Sequence, residues 1–302
     1  MTAATTKGMH DRLQQKQLRT ETGFDPRHTL RLRVEFVRQL RRRRTQLTFA
    51  LLLVLPVIIA IAFKFGGAGD SSGSGQGQGS ALVSLATHGA SNFAMFTMFA
   101  SVGFLLVVVV ALFCGDTVAA EANWSSLRYL LAMPVPRARL LRQKLIVALS
   151  LAFGAQLVLP VWSFLVGGVF FGWDPARSPL SGDLTLGESV TRLLIVIGYA
   201  CIQSMVVAAL AFLLSTAVDN PLGAVGGAVM LVVVSNILDQ ISALPDWIRN
   251  ILPTEFQYAW LDALGGDIIW DDMIRGTGVV LVYASIFFAL AWLRFDRKDI
   301  TS

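Results

Sequence analysis

Charge is scarce in this chain of 302 residues. Asp, Glu, Lys and Arg together make up 15% of it, against about 25% in an ordinary soluble domain. A soluble fold this poor in charge and 54% hydrophobic would expose large apolar patches. Histidine is nearly absent: His10 and His28 fall in the N-terminal segment, and His88 lies between the first and second apolar runs. No HExxH occurs and no Ser–His pair can form inside an apolar run, which excludes the zinc-protease and triad-hydrolase readings. The two cysteines, Cys114 and Cys201, fall in or beside apolar runs, so small buried thiols are expected rather than a disulfide framework. The Gly-rich stretch 66–80 contains no GxxxxGK[ST], so the chain lacks the phosphate loop that ATP hydrolysis by that route requires. It reads instead as a flexible linker.

What is present is apolar sequence in blocks, with a mean hydropathy of +0.61. Six blocks approach the roughly 20 residues that span a bilayer: 47–65, 93–113, 145–171, 193–214, 221–241 and 276–293. An all-α integral membrane protein with six transmembrane helices is therefore expected. Pro56 is a kink candidate in the first span. Asp219-Asn220-Pro221 reads as a helix start, with cap residues followed by proline at the first position. Residues 243–275, with Trp247, Trp260 and Trp270, are too polar to span and are expected as short helices resting on the outer surface. No cleavage pattern follows the first apolar run, so that run is expected to stay as an anchor.

Lys and Arg placement gives an orientation. Twelve lie before the first span, five between the second and third, and three in the tail after the last, which makes 20 of the 25. With these segments inside, both termini are cytoplasmic. Residues 1–26 are polar and without period, a disordered cytoplasmic tail, and 296–302 form a second, charged one. Residues 27–46 are expected to hold a basic amphipathic helix lying in the headgroup region. Leu30, Val34 and Val37 share one face and Phe36 and Leu40 widen it, while Arg31, Glu35, Arg38, Gln39 and Arg42 lie opposite. Arg31, Phe36, Arg38 and Leu40 are its membrane-interface candidates. Its one Phe, Phe36, belongs to the apolar face rather than to a base-stacking surface among the arginines, so nucleic acid is not expected as a partner.

The middles of the spans carry Thr97, Gln156, Gln203 and Ser204 but no carboxylate. Ion-coupled carriers keep buried ionisable groups there, which speaks against that class. The four polar residues are candidates for a substrate pathway, or equally for hydrogen bonds between helices. Gly223-x-x-x-Gly227 fits close helix packing, a pattern common by chance.

Between the second and third spans lies a basic island, DTVAAEANWSSLRYLLAMPVPRARLLRQK, residues 116–144. Trp124, Leu127 and Leu131 fall on one helical face, with Arg128 on the other. Pro134 and Pro136 then end the helix, and Arg137, Arg139, Arg142 and Lys144 lead into the third span. The residues alone fit an ordinary interfacial loop as well as a stiff lever. The island resembles the cytoplasmic loop of ABC-2-type transporter permeases, E-x-x-x-G-T-L-x-x-L-L-x-x-P-v-s-R-x-x-l-l-x-x-K. Glu121, Leu127, Leu130, Leu131, Pro134, Val135, Arg137, Leu140, Leu141 and Lys144 are in step with it. Ser125-Ser126 replace the usual Gly-Thr, and Pro136 the usual Ser. The basic helix before six spans and the Trp- and Pro-containing segment before the last span extend the resemblance over about residues 28–295.

The resemblance implies the permease subunit of an ATP-driven exporter in the bacterial cytoplasmic membrane, working as a dimer, with a homodimer the simplest form. Two copies of a separate ATP-binding subunit would hold ATP and Mg, and this chain no cofactor. Glu121, Trp124, Leu127, Arg128, Leu131 and Arg137 would be the contacts of its coupling helix. Other classes remain: a non-transporting scaffold or signal transducer moved by an ATPase, or an ion-coupled carrier. The apolar spans lean toward an amphipathic or lipidic substrate.

Overall fold

A computed structural model of the chain describes residues 32–65, 83–123, 137–178, 182–183, 185–241, 245–265 and 268–297. The expected tails and linker fall mostly outside these residues. The described part is helical apart from one short antiparallel pair, β1 (Arg177–Ser178) with β2 (Gly182–Asp183). A short helix, α1 (Leu32–Leu40), precedes α2 (Arg43–Phe65). Then come α3 (Ala90–Val102), α4 (Leu105–Asn123), α5 (Arg137–Phe171), α6 (Leu186–Ala217) and α7 (Pro221–Asp239). The chain closes with α8 (Asp246–Arg249), a 3-10 helix (Glu255–Leu264) and α9 (Asp271–Arg297). Six of these, α2, α4, α5, α6, α7 and α9, are long and apolar enough to cross a membrane. The chain is an all-helical, multi-pass membrane protein.

α6 is the axis of the bundle. It packs most extensively against α9 and α4, and also against α7, α5 and the 3-10 helix. α4 and α6 are mostly buried, whereas α2, α7 and α9 turn large apolar side chains outward, among them Ile58, Leu231 and Val282. Hydrocarbon solvates such faces without cost; water would not. The expected helix start at Asn220 is present: its side chain accepts the Leu222 N–H at 2.9 Å, with Pro221 at the first helical position. α6 begins with a reciprocal cap between Thr185 and Glu188, a start that lies seven residues before the expected span.

Three expectations need correction. The apolar run 93–113 is not one rod. It divides into α3 and α4 at Gly103-Phe104, where Gln257 Nε2 donates to the Val102 carbonyl at 2.9 Å. A side chain inserted into a helix ladder is a recognised cause of a break. Residues 243–275, in turn, rest on a surface only in part: Trp247 and Trp270 are exposed, but the 3-10 helix is sunk into the bundle. Trp260, 1% exposed, Phe256 and Ala263 are buried among the helices. Backbone outside a helix is tolerated at such depth only when its polar groups find partners. Tyr199 Oη donates to the Phe256 carbonyl at 2.7 Å, and Arg192 Nη1 to the Ala263 carbonyl at 3.0 Å and to that of Gly265. Lastly, the expected polar side of α1 is not left in solvent. Glu35, Phe36, Gln39 and Leu40 turn toward the bundle, whereas Val34 and Val37 are exposed. The bundle carries charges there that α1 meets.

Candidate functional site

The charges gather where α1, α2, α4 and α5 meet. Glu121 sits in the last turn of α4 and Lys144 in the third turn of α5. Lys144 Nζ lies 2.5 Å from Glu121 Oε1, with both side chains almost fully buried. Arg38 Nη2 of α1 reaches the same carboxylate at 3.0 Å and Glu35 at 2.7 Å. Gln39 Nε2 donates to Glu35 at 3.1 Å. Burial alone would raise the Glu35 carboxyl. The Arg38 hydrogen bond and the Lys144 charge outweigh that, and it sits below its ordinary range. Burial likewise opposes the charge on Arg38, but Glu35 and Glu121 overcome it and its pKa is raised. Beside this node, Asp116 of α4 takes Arg42 at 3.1 Å and Arg44 at 2.9 Å.

One buried ion pair thus brackets residues 124–136. α4 ends two residues after Glu121, and α5 begins at Arg137, two turns before Lys144. The pair therefore joins the end of α4 to the start of α5, and Arg38, Arg42 and Arg44 tie the same region of α4 to α1 and α2. Of the expected coupling residues, Trp124, Leu127, Arg128 and Leu131 lie outside the described residues, as does Arg31. Arg137 opens α5, and its side chain is likewise outside the description. Glu121, expected as a contact for another subunit, is only 5% exposed and is engaged within the chain by Lys144 and Arg38. Lys144, Asp116 and Glu35 complete the node and were not among the candidates. The signal existed: Glu121 and Lys144 are the first and last fixed positions of the loop pattern.

The expected pathway residues divide. Gln156, Gln203 and Ser204 line a cavity of about 260 Å³ between α4, α5, α6, α7, α9 and the 3-10 helix. Thr97 is not among its lining residues; its hydroxyl donates to the Ala94 carbonyl at 2.9 Å inside α3. Gln203 Nε2 bonds Tyr199 Oη and, at 3.4 Å, the Phe256 carbonyl, so it also docks the 3-10 helix. Ser204 Oγ donates to the Cys201 carbonyl at 2.8 Å. Gln156 Oε1, by contrast, has no partner among the described residues.

An acidic pair stands at the end of α7. Asp239 lies beside Glu255, the first residue of the 3-10 helix, and Arg249 Nη2 is 3.3 Å from Glu255. A hydrogen bond shared with Asp239, then burial, then the Asp239 charge push the Glu255 carboxyl up to about 7, against the opposing pull of Arg249. Among the described residues no three of His, Cys, Asp and Glu gather as a metal site would require.

A family model described as a protein of unknown function, DUF2705, matches residues 58–301. The match takes in the Glu121–Lys144 bracket, the cavity and the 3-10 helix, and begins after α1. The uncharacterized protein YhcI of Bacillus subtilis (strain 168) is 26% identical over 225 residues, 70% of this chain and 67% of the relative. With most of its length under that family model, this chain belongs to the DUF2705 family.

Proposed function

We propose that this protein is the membrane-spanning permease subunit of an ATP-driven exporter, working as a homodimer in the cytoplasmic membrane with both termini on the cytoplasmic side. The observation that carries the reading is the buried Glu121–Lys144 pair, which closes the base of residues 124–136 and ties it to α1 and α2 through arginines. A connector needs no such bracket; a lever does. Two separate ATP-binding subunits hold ATP and Mg and press on the segment through Trp124, Leu127, Arg128, Leu131 and the start of α5 at Arg137. This chain hydrolyses nothing. Closure of the ATP-binding pair pushes the segment, the ion pair passes the displacement to α4 and α5, and the helices around Gln156, Gln203 and Ser204 tilt to release substrate outward. α1, with Phe36 and Leu40 packed on the core and Leu32 and Val34 exposed, rests at the lipid headgroups.

One observation favours an ion-coupled carrier: Asp239 and Glu255, which follow the cavity-lining Ser235 and Thr254 along the chain, form an acidic pair, and the hydrogen bond shared with Asp239 pushes the Glu255 carboxyl up to about 7. Uptake into vesicles driven by a pH gradient without ATP would select that reading. For the exporter, the test is purification of the full chain with its associated proteins. An ATP-binding, ATP-hydrolysing subunit is expected with the wild type and is expected to be lost when Leu127 and Arg128 are both replaced by Asp. Undiminished assembly in that double variant would remove the segment from the mechanism.

A further inference from the structure

The cavity beside Gln156 has a chemistry of its own. None of its lining residues is charged. Its volume of about 260 Å³ equals the share of roughly nine waters in the liquid, whereas protein interiors leave few voids larger than one water. Buried waters need two to four polar partners each, and most polar groups here are already engaged. Ser235 bonds Thr254 at 2.8 Å, Gln257 bonds the Val102 carbonyl at 2.9 Å and Ser204 bonds its own helix. The exception is Gln156, 2% exposed, whose Oε1 has no partner among the described residues. The remaining wall is Val, Leu, Ala, Phe and Pro253. The entrance has a direction as well. Leu231 of α7 and Phe287 of α9 both line the cavity. Those two helices each pack on α6 without packing extensively on each other, and Leu231 is 51% exposed. The gap between them opens sideways, toward the phase that solvates their apolar faces.

We infer that this cavity binds an uncharged, single-chain amphiphile of about nine heavy atoms, entering from the bilayer between α7 and α9 and anchored by its hydroxyl on the Gln156 amide. A hydroxyl both donates and accepts, so it satisfies either end of the amide. A carboxylate or an ammonium finds no counter-charge and is excluded by the cost of burying an unpaired ion. The site does not depend on whether the chain exports.

The test uses the full chain in lipid nanodiscs and octan-1-ol carrying a photoreactive diazirine. Labelling is expected to concentrate on Val107, Gln156, Val207 and Leu231. Unlabelled octan-1-ol should compete, octane about tenfold less well, and octanoate and octyltrimethylammonium not at all. Gln156→Leu should weaken labelling about tenfold, and Val207→Phe, which fills the volume, should abolish it in protein of unchanged melting temperature. Lipid extraction then separates two sources. About one neutral single-chain amphiphile of that size per chain in the extract, missing from Val207→Phe, makes the occupant a bilayer component. Its absence with labelling intact makes the occupant a dissolved solute. The proposal falls if label spreads over outward residues such as Ile58 without regard to Gln156, or if octanoate competes as well as octan-1-ol.

Discussion

Replacing Lys144 by Met removes the buried cation that faces Glu121. Breaking a buried pair from one side costs about 3–5 kcal/mol, because the surviving charge stays desolvated. The geometry selects the lower end of that range. Arg38 remains 3.0 Å from the same carboxylate, on a side chain that is half exposed and so screened by solvent. A loss of about 3 kcal/mol corresponds to roughly 6 °C in the melting midpoint, at about 2 °C per kcal/mol for a chain of this size. The double variant Lys144→Met with Glu121→Leu leaves no buried charge at that position, and Arg38 can turn to water. It is expected to recover most of the loss, since well-packed apolar residues replace buried ion pairs at little cost. The assay is thermal unfolding in detergent of the wild type, both single variants and the double. Strictly additive single-variant losses, or a Lys144→Met midpoint within 1 °C of wild type, would refute the claim that this pair fixes the base of the segment.

Two further outcomes follow from the same structure. Glu255 titrates higher in the folded protein than in the unfolded chain, so its contribution to docking the 3-10 helix is present at acid pH and lost as pH rises from about 4.5 to about 7. Hydrogen exchange over residues 255–264 should quicken across that window, and Glu255→Gln should abolish the dependence. An alanine Cβ at Gly115 would stand 2.9 Å from Val225 Cγ2 and 3.3 Å from its Cα, whereas Gly226 has nothing within 4 Å. Gly115→Ala should therefore cost about 1–3 kcal/mol by overpacking, and Gly226→Ala should leave the melting midpoint unchanged or raise it.

Much of the fold was legible because bilayer-length apolar runs have few alternatives. Four of the six expected spans fall wholly inside helices, a fifth, 221–241, overruns α7 by two residues, and the Asn220-Pro221 start is where its chemistry puts it. The misses share a cause: each depends on a partner far away in sequence. Nothing near Val102 announces that Gln257 will take its carbonyl, so the run 93–113 looks unbroken. Trp260 looks interfacial until Tyr199, Gln203 and Arg192 are seen to satisfy the segment that carries it. Gly223 and Gly227 drew notice by their spacing, yet the glycine of α4 that meets α7 is Gly115. At the candidate site, the loop pattern assigned Glu121 outward, whereas the structure buries it in ion pairs within the chain. Only the packing of α1 shows that its charge is spent within the chain, on Lys144 and Arg38.

The central claim is that residues 124–136 face the compartment that holds ATP and are gripped there by another subunit. The direct measurement places a cysteine at position 124 in a chain whose Cys114 and Cys201 are replaced by Ala, and treats cells with a membrane-impermeant maleimide. The account predicts no labelling in intact cells, labelling once the membrane is opened, and slower labelling when the ATP-binding subunit is bound. Labelling in intact cells would contradict it.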